Sequence, residues 1–126
     1  MIQRVGQIHL SVKDIDRAVA FYRDVLELPL LFEVAGQDMA FFDCGGVRLY
    51  LGHAESDEFA SRPLLYYRVS AIEDEHARLD SAGVVFHDAP HVVHRDGGME
   101  LVLCFFDDSE GNVVALMEER AAAEPG

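Results

Sequence analysis

The side chains that could carry chemistry lie on predicted strands rather than in one contiguous motif. Glu100 lies between two apolar residues, and burial of its carboxyl would raise its pKa towards neutrality, which makes it a candidate acid–base group. His9 is a second candidate, because histidine can act as a base near physiological pH. The alternatives are an exposed strand-edge position for Glu100 or a salt bridge with Arg48 or Arg68, and a hydrogen-bonded structural role for His9.

Six histidines raise the question of a metal site. His87, His91 and His94 lie close together in sequence, so a site that combines one of them with His9 and Glu100 is conceivable. The sequence favours the alternative, in which these loop histidines are solvated surface residues. Metal ligands are therefore not predicted among them.

An internal repeat positions these side chains. Residues 8–15 return 57 positions later as residues 65–72, and each copy has the pattern of a strand that leads into a helix. Each predicted helix is followed by short strands and a glycine turn, at residues 45–46 and at residues 110–112. The chain therefore contains two copies of one supersecondary unit, since a solenoid needs at least about three repeats.

The first module, about residues 1–53, is predicted as one strand, one helix and three further strands. Asp14 is the predicted N-cap of the helix, and Pro29 ends it because the residue before a proline avoids the α region. The predicted strands are residues 5–12, 30–34, 39–43 and 47–52. Residues 54–63 are polar and are interpreted as the linker between the modules.

The second module, about residues 64–120, repeats this order. Ser70 and Glu73 fit a capping box at the start of its helix. Its predicted strands are residues 64–69, 84–87, 99–106 and 112–118, with a loop at 88–98 and a frayed tail at 121–126. The βαβββ order, repeated once, predicts a single α+β domain over residues 1–120, with two modules forming a concave cleft.

Alternation along the strands predicts which side chains face that cleft. If Ile8, Leu10 and Val12 pack on a helix, the side chains between them point the other way. The resulting wall is partly apolar and partly polar, which is usual for a small-molecule pocket. The ligand-binding residues predicted are Gln7, His9, Arg48, Tyr50, Leu64, Tyr66, Arg68, Glu100 and Ala115.

Composition excludes several classes of partner. The chain has 126 residues and a formal net charge of −13, so its surface repels nucleic acid and anionic membranes. It contains no apolar run long enough to span a membrane and no basic-then-apolar leader. Cys44 and Cys104 are its only cysteines, and we expect them to be reduced thiols in the cytoplasm.

Two stretches resemble a known family. Residues 12–22 followed by 25–28 resemble the opening of the vicinal oxygen chelate superfamily, and residues 107–112 followed by 113–116 resemble its closing strand. That superfamily includes glyoxalase I, extradiol dioxygenases and bleomycin-binding resistance proteins. The resemblance implies paired βαβββ modules and a homodimer. It does not specify a reaction, because this fold hosts many functions.

The resemblance also implies where a metal would bind. Metal-dependent members place four ligands at points that correspond here to Gln7, Tyr50, Leu64 and Ala115. Glutamine is a ligand in some glyoxalases, tyrosine is a poor ligand, and leucine and alanine cannot coordinate. Since a divalent metal needs several oxygen or nitrogen donors, no metal site and no cofactor are predicted, and a relocated divalent metal is the alternative.

These expectations leave two classes of function. The first is a metal-independent protein that binds a small polar or aromatic molecule, like the bleomycin-binding branch. The second is an enzyme of lyase, isomerase or dioxygenase type that uses a relocated metal or acid–base catalysis by Glu100 and His9.

Overall fold

The computed structural model describes residues 1–53 and 63–122. Contacts divide the chain into two compact units, Met1–Pro63 and Leu64–Gly126, each with its own four-stranded sheet. Of the predicted linker at 54–63, all but Pro63 lies outside the described residues, as do the last four residues of the predicted tail. No helix in the two described stretches is long and apolar enough to cross a membrane.

The first unit folds as strand, helix and three strands. Its elements are β1 (Gln7–Ser11), α1 (Ile15–Ala20) with a π-helical continuation (Phe21–Val25), β2 (Leu30–Val34), β3 (Met39–Cys44) and β4 (Val47–Gly52). The strand order is β1-β4-β3-β2, in which β1 runs parallel to β4 and the other pairs are antiparallel. The parallel pair is possible because α1, β2 and β3 form the long connection that it requires.

The helix of the first unit begins and ends for local reasons. The Asp14 carboxylate accepts a hydrogen bond of 3.1 Å from the backbone N–H of Arg17, which confirms the predicted N-cap. The π-helical continuation ends at Val25, and Glu27 then adopts a left-handed φ of 62°. The helix therefore ends shortly before Pro29, as the sequence predicted.

The face of the first sheet that α1 covers is apolar. Its buried side chains are Leu10, Val12, Ala40, Phe42, Leu49 and Leu51, which lie against Ala18, Val19 and Tyr22 of the helix. On β1 and β4 they alternate with side chains that are exposed or half-buried. The predicted parity of these two strands is thus confirmed.

The second unit repeats the order of the first. Its elements are β5 (Tyr66–Arg68), α2 (Ile72–Ser81), β6 (His91–Asp96), β7 (Met99–Asp107) and β8 (Val113–Ala121). The strand order is β5-β8-β7-β6, with β5 parallel to β8. The predicted α+β class with two βαβββ modules is confirmed. Residue Ala121, assigned to the tail from the sequence, instead ends β8.

The sequence misplaced one strand of the second unit. Residues 84–87 were predicted as a strand, but only Phe86 forms a β-bridge, to β7. Residues 88–98 were predicted as a loop, but they contain β6. The polar composition concealed this strand because β6 lies at the sheet edge, where charged side chains are normal. Gly97 and Gly98, with φ of 58° and 81°, form the tight turn into β7.

The predicted capping box of α2 is wrong. The N-cap residue is Ala71 rather than Ser70, and it makes no side-chain cap hydrogen bond. The backbone N–H of Ile72 instead donates to the carboxylate of Glu118 on β8, at 3.0 Å. Glu73 is likewise not part of a capping box, and its carboxylate accepts from Arg120 at 2.8 Å. Tertiary contacts therefore replaced the local cap that the sequence offered.

Candidate functional site

The face of the first sheet opposite α1, called the open face, carries four of the predicted ligand-binding residues. Strand register places Gln7 beside Arg48 and His9 beside Tyr50. These side chains are exposed or half-buried, in contrast to their buried neighbours on the α1 face. The structure therefore brings the four together on one surface, and their role as ligand-binding residues stays a prediction.

Four aromatic rings, one from each strand, form a row across this open face. This ring row runs in strand order through His9, Tyr50, Phe41 and Phe32. The centroids of His9 and Tyr50 lie 4.7 Å apart, with the rings edge to face. Tyr50 and Phe41 stack at 4.7 Å with an interplanar angle of 21°, and Phe41 and Phe32 stack at 4.5 Å with an angle of 22°.

The geometry of the stack determines what the ring row presents to its surroundings. Rings lying side by side in one plane cannot approach so closely, so Tyr50, Phe41 and Phe32 must overlap face to face. Their edges therefore point away from the sheet. Aromatic edges carry partial positive charge, and they favour the electron-rich face of another ring in an edge-to-face contact.

The row is most accessible at one end. Phe32, on the edge strand β2, is 46% exposed, while Phe41 in the middle is only 7% exposed. A planar ligand can therefore contact the free side of Phe32 and the edges of the rings behind it. This arrangement is a stacking platform with one open end.

Gly52 makes room for the central tyrosine. A Cβ atom at Gly52 would lie 2.6 Å from Cε1 of Tyr50, so only glycine permits this ring position. The Gly52 carbonyl also accepts a hydrogen bond from Nε2 of His9 at 3.2 Å. Because a carbonyl only accepts, this nitrogen carries the proton, which favours the structural alternative for His9 over the catalytic one.

Arg48 lies beside the row. Its Nε donates to the Oε1 atom of Gln7 at 2.7 Å, and its guanidinium carbon lies 5.2 Å from the centroid of the Phe41 ring. The second contact is a cation–π interaction, which holds the positive charge against the aromatic platform. The open face therefore combines stacking surface with one oriented cation.

The open face of the second sheet, opposite α2, lacks such a row. Ala115 lies beside Tyr66 and Phe105 in the strand register and is fully buried. The rings of Tyr66 and Phe105 meet edge to face at 6.2 Å. Three predicted ligand-binding residues share this face, namely Tyr66, Arg68 and Ala115, but they offer no continuous stack. Leu64 precedes β5 and is 46% exposed.

Arg68, also predicted to bind ligand, is paired within the second sheet. Its guanidinium lies 3.1 Å from the carboxylate of Glu119, and both side chains are largely exposed. A shallow cavity of about 380 Å³ lies on this sheet and is lined by His94, Asp96, Met99, Glu100, Leu101 and Glu119. Two of its three carboxylates, those of Glu100 and Glu119, already pair with arginines.

Glu100 lies on the other side of its sheet from the open face, and its assignment to the ligand site stays a prediction. It lies on the α2 side of the second sheet and is 5% exposed. Its carboxylate accepts from Nε of Arg120 at 3.1 Å and from Nε of Arg95 at 3.3 Å. The salt-bridge alternative is the one realised, although its partners differ from Arg48 and Arg68. A carboxylate neutralised in this way is a structural ion pair.

The candidate metal residues are not brought together. Among residues 1–53 and 63–122, no group of three or more His, Cys, Asp or Glu side chains is arranged to hold a metal ion. His87 pairs with Asp107 at 2.7 Å and His91 with Asp88 at 3.4 Å. His94 lies on the edge strand β6.

The four positions implied by the family resemblance also do not fit a metal. Gln7 already accepts a hydrogen bond from the cationic Arg48, and Tyr50 is stacked within the ring row. Leu64 and Ala115 have no donor atoms. These side chains do not form a ligand set for a divalent cation.

Both cysteines are free thiols, in line with the sequence expectation. Cys104 is buried within the second sheet, and burial raises the pKa of its thiol to about 11. Burial also raises the pKa of Cys44. Neither environment favours the reactive thiolate.

Two residues of the ring row were missed from the sequence. Phe32 and Phe41 were assigned to strands, but their side-chain direction was not worked out as it was for β1 and β4. Applied to β3, the same alternation separates Phe41 from the buried Ala40 and Phe42 and places it with Tyr50. The bulge in β2 between Leu30 and Phe32 would have misled simple counting.

Comparison with known proteins bears on the family. The family model of the Glyoxalase/Bleomycin resistance protein/Dioxygenase superfamily matches residues 4–116. The chain belongs to this superfamily. Its two βαβββ units and the expected opening and closing motifs are therefore features of a superfamily member.

Two relatives of known sequence carry names that describe different roles. The chain is 40% identical to a catechol-2,3-dioxygenase of Bacillus subtilis over 48 residues, which are 38% of this chain. Those residues span only 17% of the dioxygenase. It is 24% identical to a virulence protein of Salmonella typhimurium, over 94% of this chain and 85% of the relative.

Solved structures share the fold at low identity. An antibiotic-binding protein from a Streptomyces species superposes with a TM-score of 0.72 at 22% identity, over 93% of this chain and 96% of that protein. A lactoylglutathione lyase from Agrobacterium tumefaciens superposes with a TM-score of 0.69, also at 22% identity, over 93% of this chain and 94% of the lyase. The fold thus accommodates both a binding protein and an enzyme, and it does not choose between them.

Proposed function

We propose that this superfamily member binds a small aromatic molecule on the open face of its first sheet, without a metal and without transforming it. The proposal includes a cytoplasmic location, which the free thiols favour, and assembly as a homodimer, which the resemblance implies. The ring row is the observation that supports the proposal most, because it offers a ligand aromatic surface with an exposed end at Phe32.

The energetics of the ring row favour an aromatic ligand. Each aromatic pair contributes about 0.5–1.5 kcal/mol beyond the apolar area that it buries. Three ring contacts already fix Tyr50 and Phe41, so a ligand meets a preorganised surface and little side-chain entropy is lost on binding. The exposed end at Phe32 provides the entry.

The arrangement favours binding over catalysis. Glu100 is held between two arginines on the α2 side of its sheet, and His9 uses Nε2 to hydrogen-bond a backbone carbonyl. The two candidate acid–base groups therefore have structural partners. An antibiotic-binding protein with the same fold supports a binding role as well.

The direct test compares an aromatic probe with its saturated counterpart. We expect isothermal titration calorimetry to detect binding of 2-naphthol and at least about tenfold weaker binding of decahydro-2-naphthol, because only the first has a π face for the ring edges. Equal binding of the two probes, or binding of neither, would contradict the proposal.

A matched pair of variants locates the site. Phe32→Ala removes the open end of the row, and we expect about tenfold weaker binding of 2-naphthol. Leu31→Ala removes a neighbouring side chain that is similarly exposed, at 51% against 46%, and should change the affinity less than about twofold. Dialysis against a chelator should leave the affinity unchanged, and a loss restored by added metal would overturn the metal-free part of the proposal.

A further inference from the structure

Arg48 and Arg68 each lie on the open face of their sheet, but they differ in the groups that contact their guanidinium. Arg68 in the second unit is paired with the carboxylate of Glu119 at 3.1 Å. The partners of the Arg48 guanidinium within the described residues are the neutral Gln7 amide oxygen and the Phe41 ring. Its positive charge therefore has no carboxylate partner in the part of the chain that the structure describes.

The carboxylate nearest in register to Arg48 is engaged elsewhere. Asp43 lies opposite Arg48 in the β3–β4 pair. Its Oδ1 atom accepts a hydrogen bond of 3.0 Å from the backbone N–H of Gly46, and this contact closes the turn between the two strands. Asp43 and Arg48 form no ion pair in the part of the chain that the structure describes, although they are neighbours in the register.

The contact with Gln7 also orients the guanidinium. An arginine has five N–H donors in a rigid planar fork, and Gln7 occupies the one on Nε. The terminal amino groups stay available in a fixed direction, and two of their N–H bonds can engage both oxygens of one carboxylate. Gln7 is therefore a positioning residue for Arg48.

We propose that the ligand of the ring row is an aromatic carboxylate, whose carboxyl group pairs with Arg48 while its ring contacts Tyr50, the half-buried ring of the row on the same strand. This inference rests on the proposed function and adds the chemical class of the ligand. It also gives a reason why a chain with a net charge of −13 has an arginine without a carboxylate partner among its described residues.

Strand geometry limits the size of this ligand. Arg48 and Tyr50 are two positions apart on β4, which corresponds to about 7 Å along the strand. A carboxyl group attached directly to a one- or two-ring system spans that distance. A long flexible linker between ring and carboxylate would carry the ring past the row.

The test uses three probes that share one ring system. The wild-type chain should bind 2-naphthoate about tenfold more tightly than 2-naphthamide, because hydrogen bonds to a charged acceptor are about twice as strong as those to a neutral one. The third probe, 2-naphthol, reports on the ring row alone. Affinities are measured by isothermal titration calorimetry in one buffer at low ionic strength.

Variants separate the charge from the platform. Arg48→Gln should reduce the preference for 2-naphthoate over 2-naphthamide to about twofold or less, and because the two probes share one ring system, any damage to the ring row affects both alike and cancels in this ratio. Gln7→Leu keeps the charge but loses its orientation, so the preference for 2-naphthoate over 2-naphthamide should fall about threefold. Arg68→Gln in the second unit is the matched control, and it should leave the preference intact.

The outcomes distinguish this inference from the proposed function. If 2-naphthol binds but 2-naphthoate gains nothing over 2-naphthamide, the aromatic carboxylate is wrong and the ring row still binds aromatic molecules. If 2-naphthol itself fails to bind, the proposed function fails, and the inference that rests on it fails too. A preference lost in Arg68→Gln instead of Arg48→Gln would also overturn the assignment to Arg48.

Discussion

The open faces of the two units diverge at corresponding positions of the repeated βαβββ order. Tyr50 and Ala115 each lie four residues after the last glycine of the preceding turn, and each lies between the first strand and the third strand of its unit in the register. In the first unit Tyr50 completes a stack of rings. In the second unit Ala115 leaves a gap over which Tyr66 and Phe105 meet at 6.2 Å. The exchange of Tyr50 for Ala115 is therefore one difference that separates the stacked row of the first unit from the isolated ring pair of the second.

The faces that the helices cover also differ, and here the second unit has the polar side chains. The face under α1 is apolar, whereas the face under α2 holds Glu100, Glu118 and Arg120. Arg120 contacts both carboxylates and also Glu73 of α2 at 2.8 Å. The first unit therefore has its ring row and Arg48 on the open face. In the second unit the charged side chains pair with one another on the face that α2 covers.

The largest expected effect comes from removing the ion pairs that Arg120 makes in the second unit. Arg120→Met leaves the buried carboxylates of Glu100 and Glu118 without their main cation, and we expect about 3 kcal/mol of destabilisation. Urea unfolding at constant pH measures it. Arg68→Met is the control, because that pair is largely exposed and should contribute less than about 1 kcal/mol. Equal losses in the two variants would contradict the distinction between them.

A smaller effect is expected from the ring row itself. Tyr50→Ala gives the first unit the residue that the second unit has, and it removes one stacked and one edge-to-face ring contact at once. We expect a loss of about 2 kcal/mol in unfolding free energy and of all detectable 2-naphthol binding. Tyr66→Ala, which removes a half-exposed ring with one edge contact, should lose less than half as much stability and keep the binding. The reverse order would place the platform on the second sheet.

The glycine under Tyr50 offers a finer adjustment. Gly52→Ala introduces a Cβ that collides with the tyrosine ring, so the ring must move, at a cost of about 1–2 kcal/mol and with weaker 2-naphthol binding. Gly6→Ala is the matched control, because a Cβ at Gly6 meets no atom within 4 Å. Unfolding midpoints of the two variants that agree within error would show that Tyr50 does not depend on this glycine.

The smallest expected effect is a dependence on pH. The hydrogen bond from Arg120 lowers the pKa of Glu73 below its ordinary value, and burial opposes this only weakly. A lowered folded-state pKa stabilises the fold above the unfolded pKa, and this stabilisation is lost as the pH falls through the folded pKa. Because Glu73 is 57% exposed, Glu73→Gln should lose only about 0.5 kcal/mol near neutral pH. The difference from wild type should vanish in acid, and a difference that grows there would contradict the sign.

Much of the fold could be predicted from the sequence because its signals are local. The repeated strand-to-helix pattern, the Asp14 cap and the alternation on β1 and β4 each depend on residues close together in the chain. The cap of α2 could not be predicted, because Glu118 lies 46 positions from Ile72. The edge strand β6 was missed because its polar residues do not alternate with apolar ones.

The site was predictable in part for the same reason. Arg48, Tyr50 and His9 follow from parity on single strands. The stack of Tyr50 on Phe41 depends on the register between strands, and the contact of Phe32 depends on a bulge as well. The two arginine partners of Glu100 could not be predicted, because a carboxylate in an apolar strand has the same sequence pattern whether it serves a ligand or an ion pair.

The central claim is that the ring row of the first sheet binds an aromatic molecule, and nuclear magnetic resonance tests it most directly. In a titration of the isotopically labelled chain with 2-naphthol, upfield ring-current shifts should be largest for the aromatic protons of Phe32, Phe41 and Tyr50. The corresponding signals of Tyr66 and Phe105 should move little. Shifts centred on Tyr66 and Phe105, or no saturable shifts at all, would contradict the account.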